Sequence, residues 1–215
     1  TRDRLSHMAG NPVFDREMLK IHARAVTSSA PAVLVLLLVI GLVGVALGIQ
    51  NDVFFWALLT SGSYAGLYVH ARRIAGLALN EMDARSLQVQ FLALHFLSGI
   101  GWAYLVLIDC SECGGFGHLP VLLAIFLLIT IAATALIAAS LGGALIVSFA
   151  LPVATYAYLY GRLPLDEETI MAALLILSLP FCSYVAHHRN QAAVSFLSFR
   201  SEKDSLIAEL ETAKA

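Results

Sequence analysis

The sequence predicts an all-α, polytopic membrane protein: a six-helix transmembrane bundle followed by a cytoplasmic coiled-coil helix. Three observations carry this. Of 215 residues, 59% are hydrophobic and only 13% charged, whereas ordinary soluble domains are about 25% charged. The apolar residues fall in separate runs, each near the roughly 20 residues that a helix needs to cross a hydrocarbon core of about 30 Å. After the last run the chain changes to HHRNQAAVSFLSFRSEKDSLIAELETAKA, where apolar positions recur at alternating spacings of four and three.

Residues 1–29 read as a cytoplasmic N-terminal segment. Within it Val13, Phe14, Met18, Ile21 and Val26 stand among Arg and Lys, the pattern of a short amphipathic helix on the membrane surface. The six spans then occupy roughly 30–49, 53–71, 91–109, 119–139, 142–160 and 168–187, within a sensor region of 30–188. None has Asp, Glu, Lys or Arg in its interior. Barrel strands would be about 10 residues long and alternating, so helices are the reading. The 2–3 loop extends spans 2 and 3 into the cytoplasm. Glycines at small-residue spacings (Gly41, Gly44 and Gly48; Gly62 and Gly66; Gly142 and Gly143) suit close helix packing. Pro152 and Pro180 interrupt spans 5 and 6, each freeing a backbone carbonyl and permitting a kink. Pro180, near the exit of span 6, is a candidate hinge; a static kink is the competing reading.

Basic residues set the orientation. They gather in the N-terminal segment (Arg2, Arg4, Arg16, Lys20, Arg24), the 2–3 loop (Arg72, Arg73, Arg85) and the tail (Arg189, Arg200, Lys203, Lys214). The 1–2 turn and the 3–4 loop have none, and Arg162 is outnumbered by Asp166, Glu167 and Glu168. Both termini are therefore expected in the cytoplasm, with the chain multi-pass in a bacterial inner membrane. A net charge of −2 gives no electrostatic footprint for nucleic acid.

The tail, residues 189–215, places Ala192, Phe196, Phe199, Lys203, Leu206, Leu210 and Ala213 on one heptad seam. A parallel homodimeric coiled coil is expected, with Lys203 specifying register. A helix lying on the bilayer, or packed back on the 2–3 loop, is the alternative. The stretch Phe199-Arg-Ser-Glu-Lys-Asp-Ser-Leu-Ile-Ala-Glu-Leu-Glu-Thr-Ala-Lys-Ala215 resembles the linker after the membrane domain of sensor histidine kinases, many of them hybrid kinases of alphaproteobacteria. The resemblance is specific over about 17 residues and architectural over the six spans. It implies a signalling helix leading to a phosphoacceptor and ATP-binding region after Ala215. It also implies ATP and Mg2+ as that region's cofactors and a response-regulator receiver as its partner. No cofactor is expected within residues 1–215. His187 and His188 lack the Glu and Arg-Thr-Pro context of a phosphoacceptor. Diguanylate cyclases share the architecture, so the output type stays open.

Two further groups bear chemistry. The 3–4 loop, Asp109-Cys-Ser-Glu-Cys-Gly-Gly-Phe-Gly-His118, offers Cys110, Cys113 and His118. A disulfide, a copper or zinc site, and free or redox-active thiols are the open readings. His22, His70, His95, His187 and His188 gather near the cytoplasmic face and are candidate interfacial sensors, since ionisable groups near or inside a membrane are functional by default. Contact with headgroups or backbone carbonyls is the competing reading. Trp56, Trp102, Tyr104 and Tyr160 suit an aromatic belt. Tyr64, Ser61, Ser63, Ser98 and Thr155 could line a pocket for a lipophilic ligand.

The leading expectation is a membrane input module of a two-component sensor histidine kinase. A stimulus would bias helix packing, and span 6 would relay the change into a dimeric rod. The alternatives are a diguanylate cyclase sensor and a small neutral-solute transporter. The chain carries no HExxH, GxSxG or carboxylate cluster, so no catalytic residue is assigned.

Overall fold

A helix satisfies its backbone hydrogen bonds within one segment, which suits chains this apolar. The computed structural model describes residues 12–108, 119–161 and 166–214. Among them are six long helices, two short 3-10 turns and no strand. The helices are α1 (Pro12–Ala46), α2 (Gln50–Gly76), α3 (Ala84–Leu107), α4 (Leu119–Ile137), α5 (Ala144–Tyr160) and α6 (Glu167–Lys214).

Among the described residues, four stretches are long and apolar enough to cross a membrane: Phe14–Ala46, Ala84–Leu107, Leu119–Ser140 and Glu167–Ala192. Helix α5 is equally apolar in character but has 17 residues. Helix α2 has 27 residues, with Ser, Thr, Tyr, His and two Arg diluting its apolar run. The six expected segments are thus six helices, of which four meet the length and composition of a crossing.

The segment expected as a surface helix forms the N-terminal half of α1. It runs unbroken through Pro31 into the apolar stretch. Met18 and Val26 are buried, and Leu19, Ala23 and Val26 pack against Leu67, Ala71 and Ile74 of α2. That face is on an i, i+4, i+7 stripe, and α2 supplies the apolar partner that a surface helix would seek in lipid. Pro31 has no N–H, so the Thr27 carbonyl lacks its helical donor. Nearby, Thr27, Ser28 and Ser29 donate back to carbonyls of the preceding turn. Helices continue readily through such a proline when neighbouring packing holds them.

The turns follow local chemistry. Gly48 (φ +81°) and Gly143 (φ +86°) adopt the left-handed conformation that glycine reaches without strain, one after α1 and one before α5. At the start of α6, the Asp166 side chain accepts from the Thr169 backbone N–H at 2.8 Å, and the Asp166 carbonyl accepts from Ile170 N–H. This is an N-terminal cap in its usual form.

Two apolar clusters are stacked along the bundle. One gathers Trp56, Trp102, Leu105, Leu123, Phe149 and Tyr156 near the ends joined by the 3–4 and 5–6 loops. The other gathers Leu19, Ala71, Ile74, Met82, Phe91 and Leu141 near the opposite end. Helix α3 packs most extensively on α5, and α1 on α2. Helix α6 lies against α4 and α5 through Ala172 and Leu175, then continues as one helix for 48 residues, about 72 Å at 1.5 Å per residue.

Candidate functional site

Six polar side chains are buried among the described residues: His22, Thr60, Ser63, His95, Thr130 and Ser148. Buried polar groups in an apolar bundle require partners. Helix α1 brings in His22, α3 brings in His95 and α5 brings in Ser148. The rings of His22 and His95 meet with Nε2 to Nε2 at 3.2 Å, and His95 Nδ1 is 3.2 Å from Ser148 Oγ. The Ser148 hydroxyl donates to the Ala144 carbonyl at 2.9 Å.

One proton count assigns the whole chain. A hydroxyl has a single hydrogen, and Ser148 gives it to Ala144. Ser148 Oγ therefore accepts from His95 Nδ1–H, which leaves His95 Nε2 as an acceptor. His22 must then donate from Nε2, so its Nδ1 has a bare lone pair. That nitrogen is buried with no partner among the described residues, which the assignment allows. With both imidazoles neutral, a directed chain runs from α1 through α3 to a carbonyl of α5. The His22 ring also meets the Phe91 ring edge-on at 4.8 Å, and His70 meets the same ring at 5.0 Å.

Beside this chain lies a cavity of about 70 Å³. By the room one water needs, it would hold roughly five. Val26, Val33, Leu36, Leu67, Trp102 and Phe149 form its apolar walls. Thr60, Tyr64, Ser98, Thr130, Thr134, His95 and Ser148 supply its polar atoms, and among the described residues no Asp, Glu, Lys or Arg lines it. Thr130 donates to the Phe126 carbonyl, and Tyr64 donates to the Val26 carbonyl. The Thr60 hydroxyl is buried without a hydrogen-bond partner among the described residues. The lining suits a small uncharged molecule with an apolar body and a hydrogen-bonding group.

Two glycines bring α3 close enough to build the site. A Cβ at Gly99 would strike the Ser148 carbonyl, and one at Gly101 would come within 2.6 Å of the Thr60 hydroxyl. Pro152, four residues after Ser148, cannot donate to that carbonyl. Gly99 thus lies against a carbonyl that has lost its helical partner.

The histidines expected at the cytoplasmic interface separate in the structure. His95 is deep in the bundle, held by His22 and Ser148; His70 is half-buried at the end of α2. His187 and His188 are exposed on α6, where Gln191 donates to His187 and the His188 ring meets Tyr184. Of the pocket residues expected, Tyr64 and Ser98 line the cavity. Ser61, Ser63 and Thr155 instead donate to carbonyls one turn back in their own helices. Ser148, Thr60 and Thr130 escaped the sequence reading; a lone hydroxyl within an apolar span is their only sequence signal.

Cys110, Cys113 and His118 lie outside the described residues. Among the described residues, no group of three or more His, Cys, Asp or Glu gathers to hold a metal ion. Phe199 and Lys203 are exposed on α6; the side chains of Phe196, Leu206 and Leu210 lie outside the description. Pro180 is on the exposed side of α6, which passes through it without a break.

No protein-family model matches this sequence, and neither a curated protein nor a solved structure matches it.

Proposed function

We propose that the chain is the input and transmission part of a bacterial membrane sensor histidine kinase. The observation that carries this reading is α6: one helix leaves the apolar bundle and continues into a charged, heptad-patterned rod. A continuous helix carries rotation or displacement along its axis, so continuity is what a relay needs.

In this reading all six helices cross the inner membrane and both ends lie in the cytoplasm, as the basic residues favour. The rods of two copies pair in parallel along Phe196, Phe199, Lys203, Leu206 and Leu210. ATP and Mg2+ act in the kinase region, and a response-regulator receiver takes the phosphoryl group. The stimulus is a small uncharged lipophilic molecule in the cavity beside His95 and Ser148. Its binding would shift α4, which lines the cavity through Thr130 and Thr134 and carries α6.

The test joins residues 1–215, in helical phase, to the phosphoacceptor and ATP-binding domains of a reporter histidine kinase in membrane vesicles. One to seven residues are inserted after Ser201, and autophosphorylation is measured. Activity should fall and recover with a period of about seven residues. A monotonic decline, or no dependence on phase, would sink the reading. A neutral-solute transporter would instead move tracer across the vesicle membrane with no dependence on the insertion.

A further inference from the structure

Two clefts flank the turn between α4 and α5, where α6 leaves the bundle. The first, of about 170 Å³, lies between that turn, α1 and α6, and its lining includes Ile21, Leu136, Ser140, Arg189 and Asn190. The second, of about 200 Å³, lies between the turn and α6, and its lining includes Ser183, His187 and again Asn190. By the room one water needs, each has the size of roughly ten waters or more. Their polar atoms are unusual. Thr130, Ser148, Thr155 and Ser178 each donate to a carbonyl one turn back in their own helices. Ser140 and Ser183 do not. Ser140 Oγ, Ser183 Oγ and Asn190 Oδ1 are buried with no hydrogen-bond partner among the described residues, which is costly unless an occupant meets them.

We infer that the two clefts form a binding site for the headgroup of an anionic phospholipid. Its phosphodiester lies at Arg189 and Ser140, and its glycerol hydroxyls lie at Asn190 and Ser183. Such a site stands whether or not α6 relays a signal. Arg189 is the one side chain with a fixed charge in the lining, and among the described residues no Asp or Glu lines either cleft. An anion is therefore matched, while the ammonium of a zwitterionic headgroup would meet no carboxylate. The serine hydroxyls can donate to phosphate oxygens, but Asn190 Oδ1 can only accept. A phosphodiester has no proton for it; a glycerol headgroup has. The apolar stretch Glu167–Ala192 of α6 ends at this level. The clefts are thus at headgroup depth when that stretch crosses a membrane, where basic pockets between helices hold acidic lipids. The tail has a track as well. Leu136, at the lip of the first cleft, is 58% exposed. From it Ala132, Ile129 and Ile125 follow on α4 at spacings of four, three and four, all exposed, so they share one face. An acyl chain hanging from the cleft would lie along that face, whereas a soluble phosphate would leave it unused.

The experiment is native mass spectrometry of residues 1–215 in detergent, with phosphatidylglycerol or phosphatidylethanolamine of the same acyl chains added. The variants are Arg189→Gln and Ser140→Ala, with Arg72→Gln as control. Arg72 is exposed on α2 and lines neither cleft. Each variant is first checked for monodisperse elution; Arg189 is itself exposed, so its replacement requires no repacking. Phosphatidylglycerol should be retained several-fold over phosphatidylethanolamine. Arg189→Gln and Ser140→Ala should each remove most of that excess, and Arg72→Gln should leave it. Equal retention of the two lipids would overturn the inference. Equal losses with Arg72→Gln and Arg189→Gln would show general attraction to a basic rim, and loss with Arg189→Gln but not Ser140→Ala would show a charge without a built cleft; either result overturns it. Displacement of the lipid by excess glycerol 3-phosphate would make this a site for soluble anions and remove the lipid.

Discussion

Ser148 accepts the last placed proton of the imidazole chain, so its loss has a defined cost. Ser148→Ala leaves His95 Nδ1–H buried and unpaired. The expected destabilisation is about 1–3 kcal/mol, read as a lowered midpoint of denaturant unfolding in micelles. Gly99→Ala should act through packing alone: the new methyl meets the Ser148 backbone carbonyl, and overpacking of this kind costs about 1–3 kcal/mol. Gly41→Ala is the matched control. Nothing lies within 4 Å of a Cβ there, and alanine favours a helix interior over glycine by roughly 0.5–1 kcal/mol. Asp166 gives a pH signature at the surface. The Thr169 backbone N–H, then the Thr169 side chain, hold its carboxyl below the usual carboxylate range. A depressed folded value means that the cap's contribution is present above the ordinary aspartate range and lost as pH falls through the folded value. The carboxyl resonance should titrate below that of a free aspartate, and Asp166→Ala should speed hydrogen exchange at Thr169. An unshifted titration would remove the cap from the account.

At the scale of the element, α6 carries two opposed features. Its continuity favours transmission, while Pro180 removes one internal hydrogen bond, the donor that the Ile176 carbonyl would otherwise have. If that gap is the hinge of the relay, Pro180→Ala should stiffen the helix and reduce the stimulus response of the reporter chimera, with disulfide crosslinking of two rods through Phe199→Cys unchanged. An unaltered response would make the proline a static kink. The positions of the elements were legible in the sequence, because an apolar run of about 20 residues has few other fates. The reach of α1 was not. Its N-terminal half has the composition of a surface helix, and its apolar face is buried because α2 packs against it. The candidate site was half legible. Tyr64 and Ser98 stand out as polar residues in apolar surroundings. By contrast, His22 and His95 are 73 positions apart on different helices, and no periodicity links residues that meet through tertiary packing.

For the whole molecule, the testable quantity is which side of the bilayer each segment faces. Membrane-impermeant thiol reagents applied to intact cells should label Cys110 and Cys113 only if the 3–4 loop is on the outer side of the membrane. Single cysteines placed at Arg73 or Lys203 should label only after permeabilisation. Labelling of Arg73→Cys in intact cells would reverse the orientation and put the rod outside.

The paired glycines of α3 have a mechanical consequence. Gly101 seats α3 on α2 against the short side chain and Cα of Thr60, and Gly99 seats it on α5 at the Ser148 carbonyl, so the helices meet with no long side chain between. Contacts of that kind have almost no play. Helices α2, α3 and α5 then behave as a stator, and slip is confined to surfaces where longer side chains intervene. The bearing of α6 on α4 and α5 is such a surface. Under the proposed function, a change at the cavity would reach α6 as movement against a fixed frame, rather than as a general loosening of the bundle.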